Sequence, residues 1–549
     1  MARTALQNRF LHTQAMIACR LALGFDPLIV SRGQTPDILN FLSDELLLEV
    51  VKYVGCSKKE PKYGGIAPNG PKRLLNLAQC SRRLHRITIP VLYSHFRQSE
   101  SGGSKALPQF MCRIFATPEL ASCVQVYHCA ARDSQWDDNS LDMSAVGEQD
   151  WDRITQALNK TMDFNEEATE AWLSSIKAGD WDAITALLIS TFPNLEELEF
   201  DSWSYTDEVY PRIIRTLTRA KEMQDRGETG PLAMPKLRRV SLEYWDTENG
   251  LTIRLLLPFL KIPSVRTFYG RMIEDENVEP TDDGNPNWFN AGLAFQTKRL
   301  YMYHSSIDLA SLALFLNCFP SLEIFHYKNG AAGYASFEPP RLMAALQPLK
   351  PTLQELRVLD EEQHGIANFE GYPLGSLTEF TKLRHIDVNS TMMIGLEDPN
   401  NPGASDVFPQ GQILTDAVPQ SLEILRLRGC GVWVPLPMLD LIEHKETYCP
   451  LLTYVDLGWE KILYPDKPSP KEPYIHPGFT KDEAVKLLKL CEEKGVMMHM
   501  TVEPPKAKHV GYRDAGKNTR LTRWFEYPYD GYEEFCREHG CNLETGWQP

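Results

Sequence analysis

A short apolar motif that keeps returning constrains this chain more than any other feature. Its form is apolar-x-x-apolar-x-apolar, with clear copies at Leu195-Leu198-Phe200, Leu237-Val240-Leu242, Leu322-Phe325-Tyr327 and Leu353-Leu356-Val358. Leu383-Ile386-Val388, Leu422-Leu425-Leu427 and Leu452-Val455-Leu457 continue the series. Their starts lie 42, 85, 31, 30, 39 and 30 residues apart, and weaker copies at Val265-Phe268 and Leu300-Met302 divide the longest gap. A final copy is expected at Met497-Met500-Val502. The x-apolar-x-apolar section predicts a short strand with alternate side chains buried, and the first apolar residue sets the turn into it. Apolar helical stretches lie between several copies, over 251–260, 307–319, 341–349, 438–444 and 481–493. One such strand cannot bury its apolar side alone, whereas stacked strand–helix units share a continuous core. The spacing therefore predicts an α/β solenoid over 191–503, a curved parallel sheet with outer helices.

At 549 residues the chain exceeds one ordinary core, so a second folding unit is expected. No run of 18 apolar residues occurs, and no membrane span is expected. A net charge of -16 argues against general nucleic-acid binding. The 12 cysteines are thinly spread with no CxxC, which points to a reducing compartment, cytosol or nucleus. Cys123/His128/Cys129 and Cys536/His539/Cys541 come closest to ligand clusters, but neither has the paired spacing of a structural zinc site. No metal or cofactor is expected. No GxSxG, HExxH, P-loop or strand-borne GxGxxG is found, so no catalytic residue is assigned and the chain is read as a binding protein, not an enzyme. Residues 1–35 read as a tail. Arg3, Arg9 and Arg20, with no acid before Asp26, match a mitochondrial transit peptide as well as a basic leader, though serine is absent from the first 25 residues.

Residues 36–97 form a separate unit. Asp44 to Val54 reads as a helix capped by Ser43, with acids in its first turn. Its apolar residues fall in two sets at helical spacing, Leu46/Val50/Tyr53 and Leu47/Val51/Val54. Two apolar faces in so small a unit suggest one for its own core and one for a partner. A second helix begins near Pro71, and a third, with Leu84 and Ile87, runs until Pro90. Residues 42–97 carry ten Lys/Arg against four acids, net +6, which leaves -22 for the rest of the chain. Such a surplus suits either a solvated face or an acidic partner.

Leu42-Ser43-Asp44-Glu45-Leu46-Leu47 and Cys80-Ser81-Arg82-Arg83-Leu84 resemble the two landmarks of an F-box, with Ser43 in place of the usual proline. The stretch from Ile89 to Phe96 looks like the extension seen in fungal F-box proteins. An F-box followed by irregular leucine-rich repeats is similar to a large fungal group. That resemblance implies binding to the acidic Skp adaptor, and through it to a cullin-based ubiquitin ligase. By position in the motif it points to Leu42, Ser43, Leu46, Val50, Leu77 and Cys80 as adaptor contacts. The competing reading is a leucine-rich-repeat interaction scaffold with no ligase role.

A recruiting solenoid works by surface. Residues between the buried strand positions are expected to meet an unidentified target protein: Glu197, Glu199 and Arg239, then His326, Arg357 and His385, then Arg426 and Arg428. Charge runs from acidic at the first strand to basic near Arg426, which suits a protein or peptide more than a small apolar molecule. Residues 98–190 read as a helical linker and N-terminal cap. Residues 504–549, with Trp524, Phe525, Tyr527 and Tyr529 among acids and prolines, read as a cap or docking tail.

Overall fold

The computed structural model describes residues 42–55, 70–98, 105–130, 141–161, 166–201, 210–244, 250–274, 289, 292–330, 337–360, 373–394, 413–430, 434–460 and 481–503. The readings made for 1–35, for 504–549 and for Cys536, His539 and Cys541 lie outside these residues. Two compact units are present, one drawn from residues up to 242 together with 262–265, the other from 243–261 and from 266 onward.

The first unit opens with three helices, α1 (Asp44–Gly55), α2 (Gly70–Cys80) and α3 (Arg82–Ser94). Ser43 caps α1: its hydroxyl accepts from the Leu46 N–H at 3.4 Å, and Asp44 and Glu45 occupy the electropositive first turn. Ser81 caps α3 in the same way through the Leu84 N–H, 3.1 Å away. Leu47, Val51, Val54, Leu74, Leu77, Leu84 and Ile87 form the core of this bundle. Arg83 Nε, 2.8 Å from Asp44, and Arg86 at 2.5 Å tie α3 to the start of α1. Pro90 does not end the third helix as expected, since α3 continues through it to Ser94. Proline removes one N–H donor, and here it does so on the exposed side, where water can satisfy the carbonyl left behind.

Strand β1 (His95–Arg97) follows α3 without a linker and pairs in parallel with β2 (Val126–Ala130). Strands β3 (Glu197–Asp201) and β4 (Arg239–Glu243) extend the order β1-β2-β3-β4, with Val126 opposite Glu197 and Glu197 opposite Arg239. Tyr127 and Cys129, Leu198 and Phe200, and Val240 and Leu242 are buried on one face. Helices α4 (Ala106–Ala116), α5 (Glu148–Thr161), α6 (Glu166–Lys177), α7 (Trp181–Ile189) and α8 (Pro211–Asp225) complete the unit. Phe96 stacks on Phe110 of α4 at 4.1 Å and on Tyr127 at 5.3 Å, so β1, which continues directly from α3, is built into the sheet's core. Residues 98–190 are thus more than a helical linker, because they contain β2. The motif copy there, Val124-Tyr127-Cys129, was hidden by a tyrosine and a cysteine at strand positions usually held by aliphatics.

A buried carboxylate joins two helices of this unit. Asp182, 2% exposed, accepts the backbone N–H groups of Arg212 (2.9 Å) and Ile213 (2.8 Å) at the start of α8. Tyr210, which precedes α8, offers no side-chain cap, so Asp182 supplies from α7 what the local sequence lacks. The Arg212 guanidinium reaches Asp180 at 2.8 Å and Ser175 at 2.6 Å.

The second unit carries β6 (Thr267–Arg271), β8 (Arg299–Ser305), β9 (Ile324–Asn329), β10 (Glu355–Asp360), β11 (His385–Asn389), β12 (Ile424–Arg428), β13 (Tyr454–Glu460) and β14 (Met497–Glu503), all parallel and in that order. Two short strands, β5 (Leu251–Thr252) and β7 (Ile273–Glu274), pair separately. Outer helices are α9 (Ile253–Leu260), α10 (Leu309–Asn317), α11 (Pro339–Leu346), α12 (Pro435–Glu443) and α13 (Lys481–Glu493). The first motif leucines, Leu322, Leu353, Leu383, Leu422 and Leu452, are fully buried, as are the strand pairs Leu356/Val358 and Leu425/Leu427. This long parallel sheet with outer helices is compatible with the expected solenoid.

The last copy stands two residues out of register, with Met498 and Met500 rather than Met500 and Val502 at the two strand positions. Met497 lies opposite Tyr454 and is 62% exposed, while Met498 and Met500, opposite Val455 and Leu457, are buried. Val496, Met497, Met498 and Met500 are all apolar, so the sequence there did not reveal which ones face inward.

Candidate functional site

Two surfaces of the described residues offer more than a solvated exterior. The first is on the three-helix bundle. Leu46 is 37% exposed and Tyr53 44%, one stripe of α1 with half-buried Val50 between them, and Leu75 on α2 is 46% exposed. The opposite stripe, Leu47, Val51 and Val54, already fills the core. Leu46, Val50 and Tyr53 recur at helical spacing, so they line one face of α1 that the bundle leaves partly uncovered.

Of the expected adaptor contacts, Leu46 and Cys80 are exposed, and Ser43 is an exposed helix cap. Leu42 and Val50 are half-buried and pack against the core, so they serve the bundle as well. Leu77 is corrected to a core residue: it is buried among Leu74, Leu84 and Val51 and offers no surface to a partner. Leu75 was missed. Its neighbours Leu74, Leu77 and Ala78 are buried, and a wheel drawn on those three would have placed Leu75 off their face.

The second surface is, in each unit, the sheet face opposite the helices. In the first unit it holds two compensated acid clusters. Glu197 is paired with Arg239. His128 lies 2.6 Å from Asp201 and 3.7 Å from Glu199.

In the second unit Tyr269 stacks on Tyr301 with ring centres 4.2 Å apart and planes at 7°. Tyr301 meets His326 edge-on at 4.7 Å, and the Tyr303 hydroxyl is 3.3 Å from His326 Nδ1. A bulge between Met302 and Ser305, with His304 at φ 51, interrupts β8 there. His326 Nε2 is 2.7 Å from Glu355, and His385 Nδ1 is 3.7 Å from the other oxygen of that carboxylate. Hydrogen bonds from His326 first and His385 second hold the Glu355 carboxyl well below the usual carboxylate range.

A second chain of charges runs beside it. Asp387 takes Arg357 at 3.4 Å and Arg428 at 3.1 Å, and Arg428 reaches Asp456 at 3.1 Å. Arg426 lies in register with Asp387 and Asp456, but its guanidinium sits over the Tyr454 ring at 5.8 Å.

Glu197, Glu199 and Arg239 in the first unit, and His326, Arg357, His385, Arg426 and Arg428 in the second, stand at strand positions that alternate with the buried apolar ones. Glu197 and His326 are corrected from exposed contacts to buried members of cross-strand pairs. The reason is spacing: parallel strands lie about 4.8 Å apart, so Glu197 meets Arg239 at its own register position and His326 reaches Glu355 on the diagonal, two residues off register. Glu199, Arg357, His385, Arg426 and Arg428 stay half-buried and Arg239 is exposed.

Among the described residues no group of three His, Cys, Asp or Glu side chains could hold a metal ion. His128 and Cys129 belong to β2, where Cys129 donates to Gln98 at 2.7 Å. No described helix is long and apolar enough to cross a membrane.

Comparison with known proteins agrees with the repeat architecture. Residues 125–288 match a leucine-rich repeat domain, a match that begins at the strand the sequence reading passed over. No curated protein matches the chain.

Proposed function

We propose that this protein is a substrate-recruiting adaptor of a Skp-cullin-F-box ubiquitin ligase, binding the Skp adaptor through its three-helix unit and a target protein through its repeat surface. A leucine-rich repeat domain suggests a protein-interaction role, and the finer reading rests on the bundle. The observation that carries it is the exposure of Leu46, Tyr53 and Leu75 on a bundle whose core needs none of them. Side chains left 37–46% exposed gain about 0.5–1.5 kcal/mol each if a partner covers the rest. The surplus of +6 over 42–97 suits an acidic partner. A repeat scaffold without a ligase role would account for the sheet but leaves these side chains without a purpose.

The test is co-purification of the Skp adaptor and cullin with the full chain, compared with a Leu46→Arg, Leu75→Arg double variant. Both positions are exposed, so the variant keeps its core. Capture by the parent and loss in the double variant is the expected result. Equal capture by both, or none by the parent, refutes the ligase reading and leaves the scaffold.

A further inference from the structure

One cation on the sheet face of the second unit stands outside the ion pairs around it. Arg357 and Arg428 are matched by Asp387 and Asp456, one cation to one carboxylate. Arg426 has no carboxylate partner among the described residues; both aspartates at its register position are taken up by its neighbours. Its guanidinium is held over Tyr454, half-buried and oriented rather than free to roam in water. Four strand steps away lie the half-buried rings of Tyr301 and Tyr303, and Tyr269 stacks on Tyr301 from one strand further, an aromatic ledge beside His326. Four steps at about 4.8 Å span roughly 19 Å, and an extended peptide covers that in about six residues at 3.3–3.6 Å each.

We infer that this face takes an extended peptide running across the strands, with an acidic side chain on Arg426 and a ring-bearing side chain on the tyrosine ledge, five to seven residues apart. This deepens the proposed function and rests on its assignment of target binding to the repeat surface. A carboxylate supplies the counter-charge that Arg426 lacks among the described residues, and the flat tyrosine stack offers area to an aromatic or proline ring. His385, with Nδ1 turned to Glu355, retains Nε2 for the peptide main chain between the two anchors.

The test is selection of a displayed random 12-residue peptide library on the full-length chain. The expected result is enrichment of sequences with Asp or Glu five to seven residues from Trp, Tyr, Phe or Pro. A synthetic copy of the leading sequence should bind Arg426→Glu at least ten-fold more weakly, and a copy with its acid replaced by lysine should recover binding to that variant. Arg426→Lys, which keeps the charge, should retain most of the affinity. No enrichment, enriched sequences without the acid, or equal affinity for Arg426→Glu overturns the inference. Those failures with adaptor capture through Leu46 intact leave the ligase reading standing. Peptide selection without adaptor capture does the reverse.

Discussion

Replacing Asp182 tests whether a carboxylate on one helix can serve as the missing cap of another. Asp182→Ala removes the acceptors of the Arg212 and Ile213 N–H groups. Loss of a helix cap costs about 1–2 kcal/mol, and leaving buried donors unsatisfied adds about 1–3 kcal/mol. Arg212 keeps Asp180 at 2.8 Å, so no cation is orphaned, and the total should fall near 2–4 kcal/mol. Asp182→Asn keeps one of the two acceptors but turns its amide NH2 toward the other backbone N–H, and should cost about 1–3 kcal/mol at neutral pH.

The charge on Asp182 carries its own signature. Burial pushes its carboxyl from 3.8 up to about 6, against the hydrogen bonds from Ile213 and Arg212. A folded value above the unfolded one means that the native state holds the proton more tightly. That contribution is full below about pH 4 and is lost as pH rises through about 6, a swing of about 3 kcal/mol at 1.36 kcal/mol per unit. Urea midpoints followed by tryptophan fluorescence between pH 4 and 7 would read it, since Trp172 and Trp181 lie in the same unit. The parent should lose stability relative to Asp182→Asn as pH rises across that window. Parallel profiles, or an alanine variant within about 0.5 kcal/mol of the parent, would refute the reasoning.

Glu355→Gln should show the opposite pH sense. Its carboxyl is depressed by His326 and His385, so its contribution is present above the ordinary carboxylate range and lost as pH falls through and below it. The acid limb of the parent's stability profile should therefore flatten in the glutamine variant. Leu425→Ala, at a fully buried strand position, should lower stability by about 2–5 kcal/mol in chemical denaturation. Gly179→Ala should be at least as damaging: Gly179 sits at φ +78, and an added Cβ would come within 2.4 Å of the Leu141 carbonyl. Denaturation with an unchanged melting temperature would contradict that. Arg426→Glu sets a carboxylate between Asp387 and Asp456 and gives up the contact with Tyr454, and should lower stability by about 1–2 kcal/mol.

The strand–helix repeat was legible because alternation and spacing are local properties, and the copies at Leu353, Leu383, Leu422 and Leu452 mark strands β10 to β13. Legibility failed where residue type and position came apart. Tyr127 and Cys129 sit at core positions without looking aliphatic, and Met497 looks like core but faces water. The charged face was legible as a set of outward positions. Its pairing was not, because Glu355 meets His326 and His385 from sequence distances of about thirty residues, a proximity only parallel register creates. On the bundle, two apolar stripes on α1 were visible at once. That Leu77 belongs to the core and Leu75 to the surface depended on how α2 turns against its neighbours.

The recruiting role is tested most directly by calorimetric titration of purified Skp adaptor into the full-length chain, its Leu46→Arg, Leu75→Arg variant and its Arg426→Glu variant. One-to-one binding that the double variant weakens at least 100-fold, about 2.7 kcal/mol, and that Arg426→Glu leaves unchanged is the expected result. Absence of binding by the parent, or equal affinity for the double variant, would contradict it.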